Sequence, residues 1–402
     1  MPHTSVWGSQ GIGNGQTQFN RFHKSTNQRI NKKVKKLSLY ILTLLALHGC
    51  IEPFAPPEIT SAEQYLVVDG SLNTSPEGSS QIKLSKTQNI YDESGPKAEP
   101  RAKVTVEGDK GSSFAFVEAS PGVYNLAAKS FRDTEKYRLR IKTSAGKEYL
   151  SAYVPVVKNP PIDSLTYKVR PDRTGVQIYV NTHDPLDKTR FYRWSYDETW
   201  QYSMPLYSSY VLVGKEIVSR LENINTCWSN ATPTNIVLGS TIKLSKDIIK
   251  DQGVAFVSAL SGKLQAKYSI LVKQYALTQD EFEYWNTLSK TTERTGSLFD
   301  PQPAEVTGNI KSVSNSSELV FGYFSASNRQ EQRLFVSEYL SRGLQCDPTD
   351  TLTAAEVRES LDLIVTEYYE EGSFRPQYIM GSTNCTDCRL LGGTNNRPLF
   401  WK

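Results

Sequence analysis

Residues 121–149 read PGVYNLAAKSFRDTEKYRLRIKTSAGKEY, and this stretch decides the fold class. Apolar and polar residues alternate from Tyr137 to Ile141, as in a β-strand with one buried face. Pro121-Gly122 precedes this strand, and Ser144-Ala-Gly146 follows it, so turn-forming residues lie on both sides. The stretch therefore predicts short antiparallel strands joined by tight turns.

The same pattern extends outward along the chain. Residues 64–157 contain short strands at intervals of about 8–12 residues, which is typical of a sandwich. The end of this region is similar to the close of transthyretin-like or fibronectin-like modules. Further strands follow the linker at 158–161. We therefore predict a mainly β chain with two immunoglobulin/fibronectin-like β-sandwich domains, at 64–157 and 162–345.

Helical signals are few. Thr278 and Glu281 form a capping box, and apolar residues then recur at helical spacing, which predicts a helix at 279–293 inserted in the second sandwich. A second capping box, Thr353 with Glu356, predicts a short helix to about residue 363. Residues 346–402 are expected to be a cysteine-containing C-terminal extension stapled by disulfide bonds.

Charge is distributed unevenly between the two ends. The chain has 402 residues with 46 Lys or Arg and 42 Asp or Glu. Residues 1–49 hold seven of the basic residues and none of the acidic ones, so residues 50–402 carry a net charge of −3. This distribution argues against a nucleic-acid partner. Only one of the 4 histidines, His183, lies beyond that segment, which argues against a metal site built from several histidines.

The N-terminal segment carries an export signal. Residues 29–50 read RINKKVKKLSLYILTLLALHGC, with five basic residues before a short apolar run. That run is shorter than the ~20 residues that a membrane span needs, so residues 1–49 are interpreted as a leader with a secretory signal peptide. Residues 50–63 contain three prolines and are expected to form an extended tether.

The signal ends at a cysteine. Leu47-His48-Gly49-Cys50 resembles a bacterial lipobox, which implies lipidation of Cys50, including palmitate, and anchoring to a membrane. The alternative is an ordinary cleaved signal with an incidental cysteine. The prediction at this point is a lipid-anchored membrane protein, and the sequence leaves its periplasmic or cell-surface face undecided.

Four cysteines remain after the signal: Cys227, Cys346, Cys385 and Cys388. An even number in an exported chain favours two structural disulfides, and the sequence leaves all three pairings open. One rival hypothesis is a redox pair, Cys385-Thr-Asp-Cys388, and another is a four-cysteine zinc site. No cofactor and no metal are predicted.

One strand is unusually aromatic. Its alternate positions carry Tyr192, Trp194, Tyr196, Trp200 and Tyr202 on one face. Such a face is either the core of a sandwich or a platform that stacks sugars or peptides. Phosphate loops, zinc-protease motifs and nucleophile elbows are missing from the sequence, so no catalytic residue is proposed.

Several stretches together resemble one family. They include Cys50-Ile-Glu-Pro53, Leu66-Val-Val-Asp-Gly70, Tyr268–Tyr275, Gly296-Ser-Leu-Phe-Asp-Pro-Gln-Pro303, Gly308-Asn-Ile310 and Cys385-Thr-Asp-Cys-Arg389. The family is the Bacteroidota outer-membrane lipoprotein family called domain of unknown function 4249. The resemblance implies a transport-accessory role by association with TonB-dependent receptors, and it offers no catalytic residues. In that context Ser164 and Thr351, in Asp-Ser-Leu and Asp-Thr-Leu tripeptides, resemble O-glycosylation acceptors.

The sequence thus predicts a non-catalytic outer-membrane lipoprotein that partners a TonB-dependent receptor in nutrient uptake. The alternative is a stand-alone lipoprotein that binds glycans or peptides through the aromatic strand. A carboxylate-based hydrolase is a third hypothesis.

Overall fold

The computed structural model describes residues 64–88, 92, 94–292 and 306–402. The chain is mainly β, as the sequence predicts. The leader, Cys50 and the tether, together with the motif at 296–303, lie outside the described residues.

The first β module consists of two sheets that share one hydrophobic core. In the five-stranded sheet, Tyr137, Leu139 and Ile141 are all fully buried, which confirms the strand predicted by alternation. The N-terminal part of the chain supplies β1 (Leu66–Asn73), β2 (Ser80–Lys86), β3 (Lys103–Gly108), β4 (Ser113–Ala115), β5 (Val117–Ser120), β6 (Val123–Leu126), β7 (Tyr137–Lys142), β8 (Glu148–Ser151) and β9 (Val156–Val157).

The second β module follows the linker at 158–161 and also has two sheets around one core. Its long central strand, β12, pairs with β15 and β16 along one edge and with β18 along the other. The strands of this part of the chain are β10 (Ile162–Val169), β11 (Gly175–His183), β12 (Phe191–Ser203), β13 (Tyr210–Val213), β14 (Glu216–Ser219), β15 (Thr226–Ala231), β16 (Val237–Ser240), β17 (Ile248–Ser258) and β18 (Tyr268–Ala276).

Helix α1 (Gln279–Thr292) follows β18. Its start agrees with the capping-box prediction, because the backbone N–H of Glu281 donates to the Thr278 hydroxyl at 3.2 Å. The Glu281 side chain is buried, and burial raises its pKa. The indole of Trp285 donates to this carboxyl group at 3.3 Å. The predicted last residue, 293, lies outside the described residues.

After the helix the chain returns to the first module. Strand β19 (Ile310–Ser312) pairs antiparallel with β8, and β20 (Val320–Phe321) and β21 (Ala326–Ser327) pair parallel with β1. Strand β22 (Gln330–Val336) then pairs with β18 in the second module. The sequence-based division gave all of 162–345 to the second domain. The structure instead places 310–327 in the first module, because its edges and core need these residues.

The junction between the modules contains a fully buried amide, Gln274 on β18. Its Oε1 accepts a hydrogen bond from the Trp194 indole at 2.9 Å. Its Nε2 donates to the Pro160 carbonyl at 2.9 Å and to the Thr182 hydroxyl at 3.1 Å. The backbone carbonyl of Gln274 accepts from the Asn159 side chain. A buried amide with its hydrogen-bonding groups paired holds the linker against the second module.

The remaining residues form a C-terminal module. It contains β23 (Thr351–Thr353), β24 (Leu363–Tyr368), β25 (Gln377–Gly381) and the short helix α2 (Thr383–Thr386). The hairpin β13–β14, which leaves the second module, contributes Tyr210 and Ile217 to its small core. The extension predicted at 346–402 is therefore folded, and it packs on an insertion from earlier in the chain.

The second capping-box prediction is wrong. Thr353 ends a strand, and its N–H and hydroxyl both donate to Glu356 at 2.8 and 2.7 Å. A single 3₁₀ turn, Glu356–Glu359, follows instead of a helix to residue 363. Ser360 then takes extended backbone angles (φ −82°, ψ 145°), which ends the turn before a helix develops.

Because β19–β21 complete the first module, a fragment of residues 64–157 is expected to lack a stable fold. Ile310, Val320, Phe324 and Ala326 are buried in its core, and removal of a large core side chain costs about 2–5 kcal/mol. Urea unfolding followed by circular dichroism should show no cooperative transition for 64–157. Addition of a 306–329 peptide should restore one. A sharp transition for 64–157 alone would contradict this arrangement.

Candidate functional site

The four cysteines form two disulfides between distant segments. Cys227 on β15 bonds to Cys388, 161 residues later, and Cys346 bonds to Cys385. The structural-disulfide prediction holds, and the structure selects one of the three pairings. The redox-pair hypothesis is wrong for this structure, because Cys385 and Cys388 bond to different partners. The zinc hypothesis fails for the same reason, since both sulfur pairs are oxidised.

The Cys227–Cys388 bond fixes the C-terminal module to the second module, and Cys346–Cys385 closes a loop within the C-terminal module. Asp387, between Cys385 and Cys388 in sequence, accepts hydrogen bonds from the Arg389 guanidinium and backbone N–H. These hydrogen bonds lower the pKa of the Asp387 carboxyl group. The hydroxyl of Tyr202 donates to the Cys388 carbonyl at 2.7 Å. The segment around Cys388 is thus a structural anchor on β12 and β15.

We expect the pairing to be visible by non-reducing peptide mapping. Proteolysis of the oxidised protein that includes cleavage between Thr386 and Asp387 should release two cross-linked peptide pairs, one joining Cys227 to Cys388 and the other joining Cys346 to Cys385. Closing loops of 161 and 39 residues is worth about 5 and about 4 kcal/mol respectively on a chain-entropy estimate. Cys346→Ser/Cys385→Ser should therefore lower the free energy of unfolding by roughly 2–5 kcal/mol. A peptide linking Cys385 to Cys388 would contradict the structure.

The aromatic strand belongs mostly to the core. Tyr192 and Trp194 are fully buried, and Tyr196 and Tyr202 are nearly so. The Tyr192 hydroxyl donates to buried Asp247, and burial raises the pKa of this tyrosine. The structure thus corrects the hypothesis of an open platform for these four residues, because sugar stacking needs a ring face in contact with solvent. The polar groups of the rings are also taken up by internal partners, as described for Trp194 and Tyr202.

Trp200 is the exception, because it is only partly buried and lines a cleft of about 350 Å³. The cleft floor also contains Tyr202 and Met204. Three leucines stand at its edge, from separate segments of the chain. The full lining comprises Trp200, Tyr202, Ser203, Met204, Ser229, Leu260, Ser261, Gly262, Gln265, Arg342, Gly343, Leu344 and Leu391.

The positive charge of Lys263, beside this cleft, is neutralised by a buried carboxylate of the protein. Lys263 lies 4.9 Å from the Trp200 ring centre and donates to Glu198, which is buried. The Tyr268 hydroxyl donates to the same carboxylate at 2.7 Å. This group of three is a satisfied core cluster, so Lys263 has its counter-charge.

Sequence reasoning identified Trp200 and Tyr202 but missed the rest of the cleft. Leu260, Arg342, Leu344 and Leu391 come from three connecting segments that are far apart in sequence. A single leucine in a turn carries no periodic signal. Only the fold brings these side chains together.

The one histidine of the described chain forms an exposed pair. His183 Nδ1 lies 2.8 Å from Asp163 Oδ2, and this hydrogen bond raises the pKa of the imidazole. Among the described residues the imidazole makes no hydrogen bond to a serine, threonine or cysteine. The arrangement is therefore a histidine–carboxylate pair without the nucleophile of a triad.

The two glycosylation candidates differ in exposure. Thr351 is exposed on β23, whereas Ser164 is half-buried on β10, where its hydroxyl accepts from Asn181 at 3.1 Å. Both remain predictions. Cys50, the lipidation candidate, lies outside the described residues.

The C-terminal module exposes an unusual surface. Residues 346–376 contain eight acidic and two basic residues. Phe374 is 99% exposed, and Tyr368 and Tyr369 at the same end of β24 are also exposed, whereas Leu361, which is 92% exposed, precedes the other end of that strand. Large apolar side chains that are open to solvent mark interaction surfaces when they occur together. We call residues 361–374 the acidic-aromatic segment.

In the part of the chain that the structure describes, no group of three or more His, Cys, Asp or Glu side chains is placed to hold a metal ion. No helix in the same residues is long and apolar enough to cross a bilayer.

The fold and its cross-links define a mainly β protein with a disulfide-anchored C-terminal module. A family model described as a domain of unknown function (DUF4249) matches residues 51–333. The chain therefore belongs to the DUF4249 family, as the resemblance predicted. No curated protein matches it.

Proposed function

We propose that this protein is a non-catalytic, lipid-anchored outer-membrane protein that acts with a TonB-dependent receptor in nutrient uptake. The observation that carries the proposal is the acidic-aromatic segment. At one end of β24, the exposed rings of Tyr368, Tyr369 and Phe374 belong to a sequence stretch that also contains Glu367, Glu370 and Glu371, which suits a protein partner with an apolar contact surface and basic surroundings. The lipobox-like Leu47–Cys50 sequence supports the membrane anchor.

The position of this segment also favours a partner role. The Cys227–Cys388 disulfide fixes its module to the second β module, and Cys346–Cys385 closes a loop within the module. A contact surface held in this way loses little conformational entropy on binding. Burying a few large apolar side chains at the centre of an interface supplies much of its affinity.

The test is a pull-down of the full-length tagged protein from mildly solubilised outer membranes, analysed by mass spectrometry. We expect a TonB-dependent receptor in near-stoichiometric amount. Tyr369→Ser/Phe374→Ser should reduce its recovery at least tenfold, because the apolar contact is lost. Cys50→Ser should release the protein from the membrane.

The matched control is Leu186→Ser/Val117→Ser, which removes two side chains that are 69% and 71% exposed outside the acidic-aromatic segment. This variant should retain the receptor. Recovery of the wild-type protein alone, together with unchanged receptor-dependent uptake after its deletion, would overturn the proposal.

A further inference from the structure

The cleft at Trp200 has an apolar edge that the fold itself does not use. Leu260 is 96% exposed, and Leu344 and Leu391 are each more than half exposed. These leucines come from three separate segments, yet all three line the same cleft. Convergent, solvent-exposed leucines above a tryptophan are typical of a binding site rather than of scattered surface residues.

The segment that carries Leu344 packs closely against Gln265, which also lines the cleft. At Gly343 a Cβ atom would lie 2.2 Å from Gln265 Nε2, so a side chain there would push the Arg342–Leu344 segment away. Gln265 is itself held in place, because its amide accepts from the Ser203 N–H and donates to the Ser203 carbonyl. The position of Leu344 over the cleft therefore depends on a glycine and a fixed glutamine.

One cation at the cleft has no counter-charge within it. Arg342 is exposed, and no carboxylate of the described residues lies within ion-pair distance of its guanidinium. Lys263, the other nearby cation, is already bonded to Glu198. The cleft thus combines the apolar side chains of Trp200, Met204 and three leucines with a single unpaired positive charge at Arg342.

We propose that this cleft binds a small amphiphilic carboxylate, with its apolar chain between Trp200 and the three leucines and its carboxylate at Arg342. A volume of about 350 Å³ lies at the lower end of ligand sites, which suits a single chain of moderate length. A guanidinium pairs well with a carboxylate through two parallel hydrogen bonds. The proposal is independent of the receptor partnership.

Two sources could supply this chemistry, namely a fatty acid and the C-terminal residue of a peptide. Calorimetric titration of the mature protein distinguishes them. The fatty-acid arm uses octanoate and decanoate below their micelle concentrations. The peptide arm uses acetyl-Ala-Ala-Leu with a free or an amidated C-terminus. Saturable one-to-one binding in either arm supports the proposal and identifies the source.

Chain length and charge give the sharper readouts. Each methylene that enters the cleft should tighten binding by up to about fourfold. Decanol should bind more weakly than decanoate. Arg342→Gln should weaken decanoate about two- to fivefold and leave decanol unchanged, as expected for an exposed ion pair. Leu260→Asp should abolish binding of both compounds.

Matched controls are Lys142→Gln, an exposed cation on β7 of the first module, and Leu186→Asp, an exposed leucine outside the cleft. Both should bind decanoate like the wild type, and all variants should keep the wild-type unfolding midpoint. The proposal is overturned if neither arm gives saturable binding. It is equally overturned if Leu260→Asp binds normally, or if decanoate and decanol respond alike to Arg342→Gln.

Discussion

The hydrogen bonds of Gln274 are the constraint on which the two-module arrangement depends. This side chain is fully buried and joins the Trp194 indole, the Pro160 carbonyl and the Thr182 hydroxyl. An unpaired buried donor or acceptor costs about 1–3 kcal/mol. Moving the linker at 158–161 away from β18 would leave the Gln274 amide without its Pro160 partner. A second hydrogen bond restrains the linker. The Asn159 N–H donates to the Asn328 side chain at 2.6 Å, and Asn328 lies between β21 and β22.

The chain crosses between the two modules more than once. Strands β19–β21 complete the first module, and β22 then completes a sheet of the second. Each module therefore contains strands from distant parts of the sequence. The disulfides extend the same principle to the C-terminal module, which is fixed to β15 through Cys227. The cleft at Trp200 lies where these segments meet, and its lining reflects their convergence.

The sequence predicts local structure well and long-range structure poorly. The strand at 137–141 and the start of helix α1 depend on alternation and on a capping box, which neighbouring residues determine. The return of 310–327 to the first module depends on pairing across more than 150 residues, for which strand propensity carries no information. The pairing of the cysteines was likewise open, because spacing does not specify which sulfurs meet.

The aromatic strand shows the same limit within the candidate site. Alternation places five rings on one face, but it does not tell whether a second sheet covers that face. The opposing sheet covers Tyr192, Trp194 and Tyr196, and the Cys388 segment covers Tyr202, which leaves only Trp200 partly open. Sequence reasoning missed the acidic-aromatic segment, because the exposure of Tyr369 and Phe374 depends on how the C-terminal module folds.

Hydrogen exchange of the Gln274→Met variant would test the coupling of the two modules most directly. The substitution keeps the length of the side chain but leaves the Trp194 N–H without its acceptor. If the modules unfold together, the amides of Leu139 in the first module and Ile270 in the second should exchange faster by the same factor, about tenfold or more. Faster exchange confined to the second module would contradict this account.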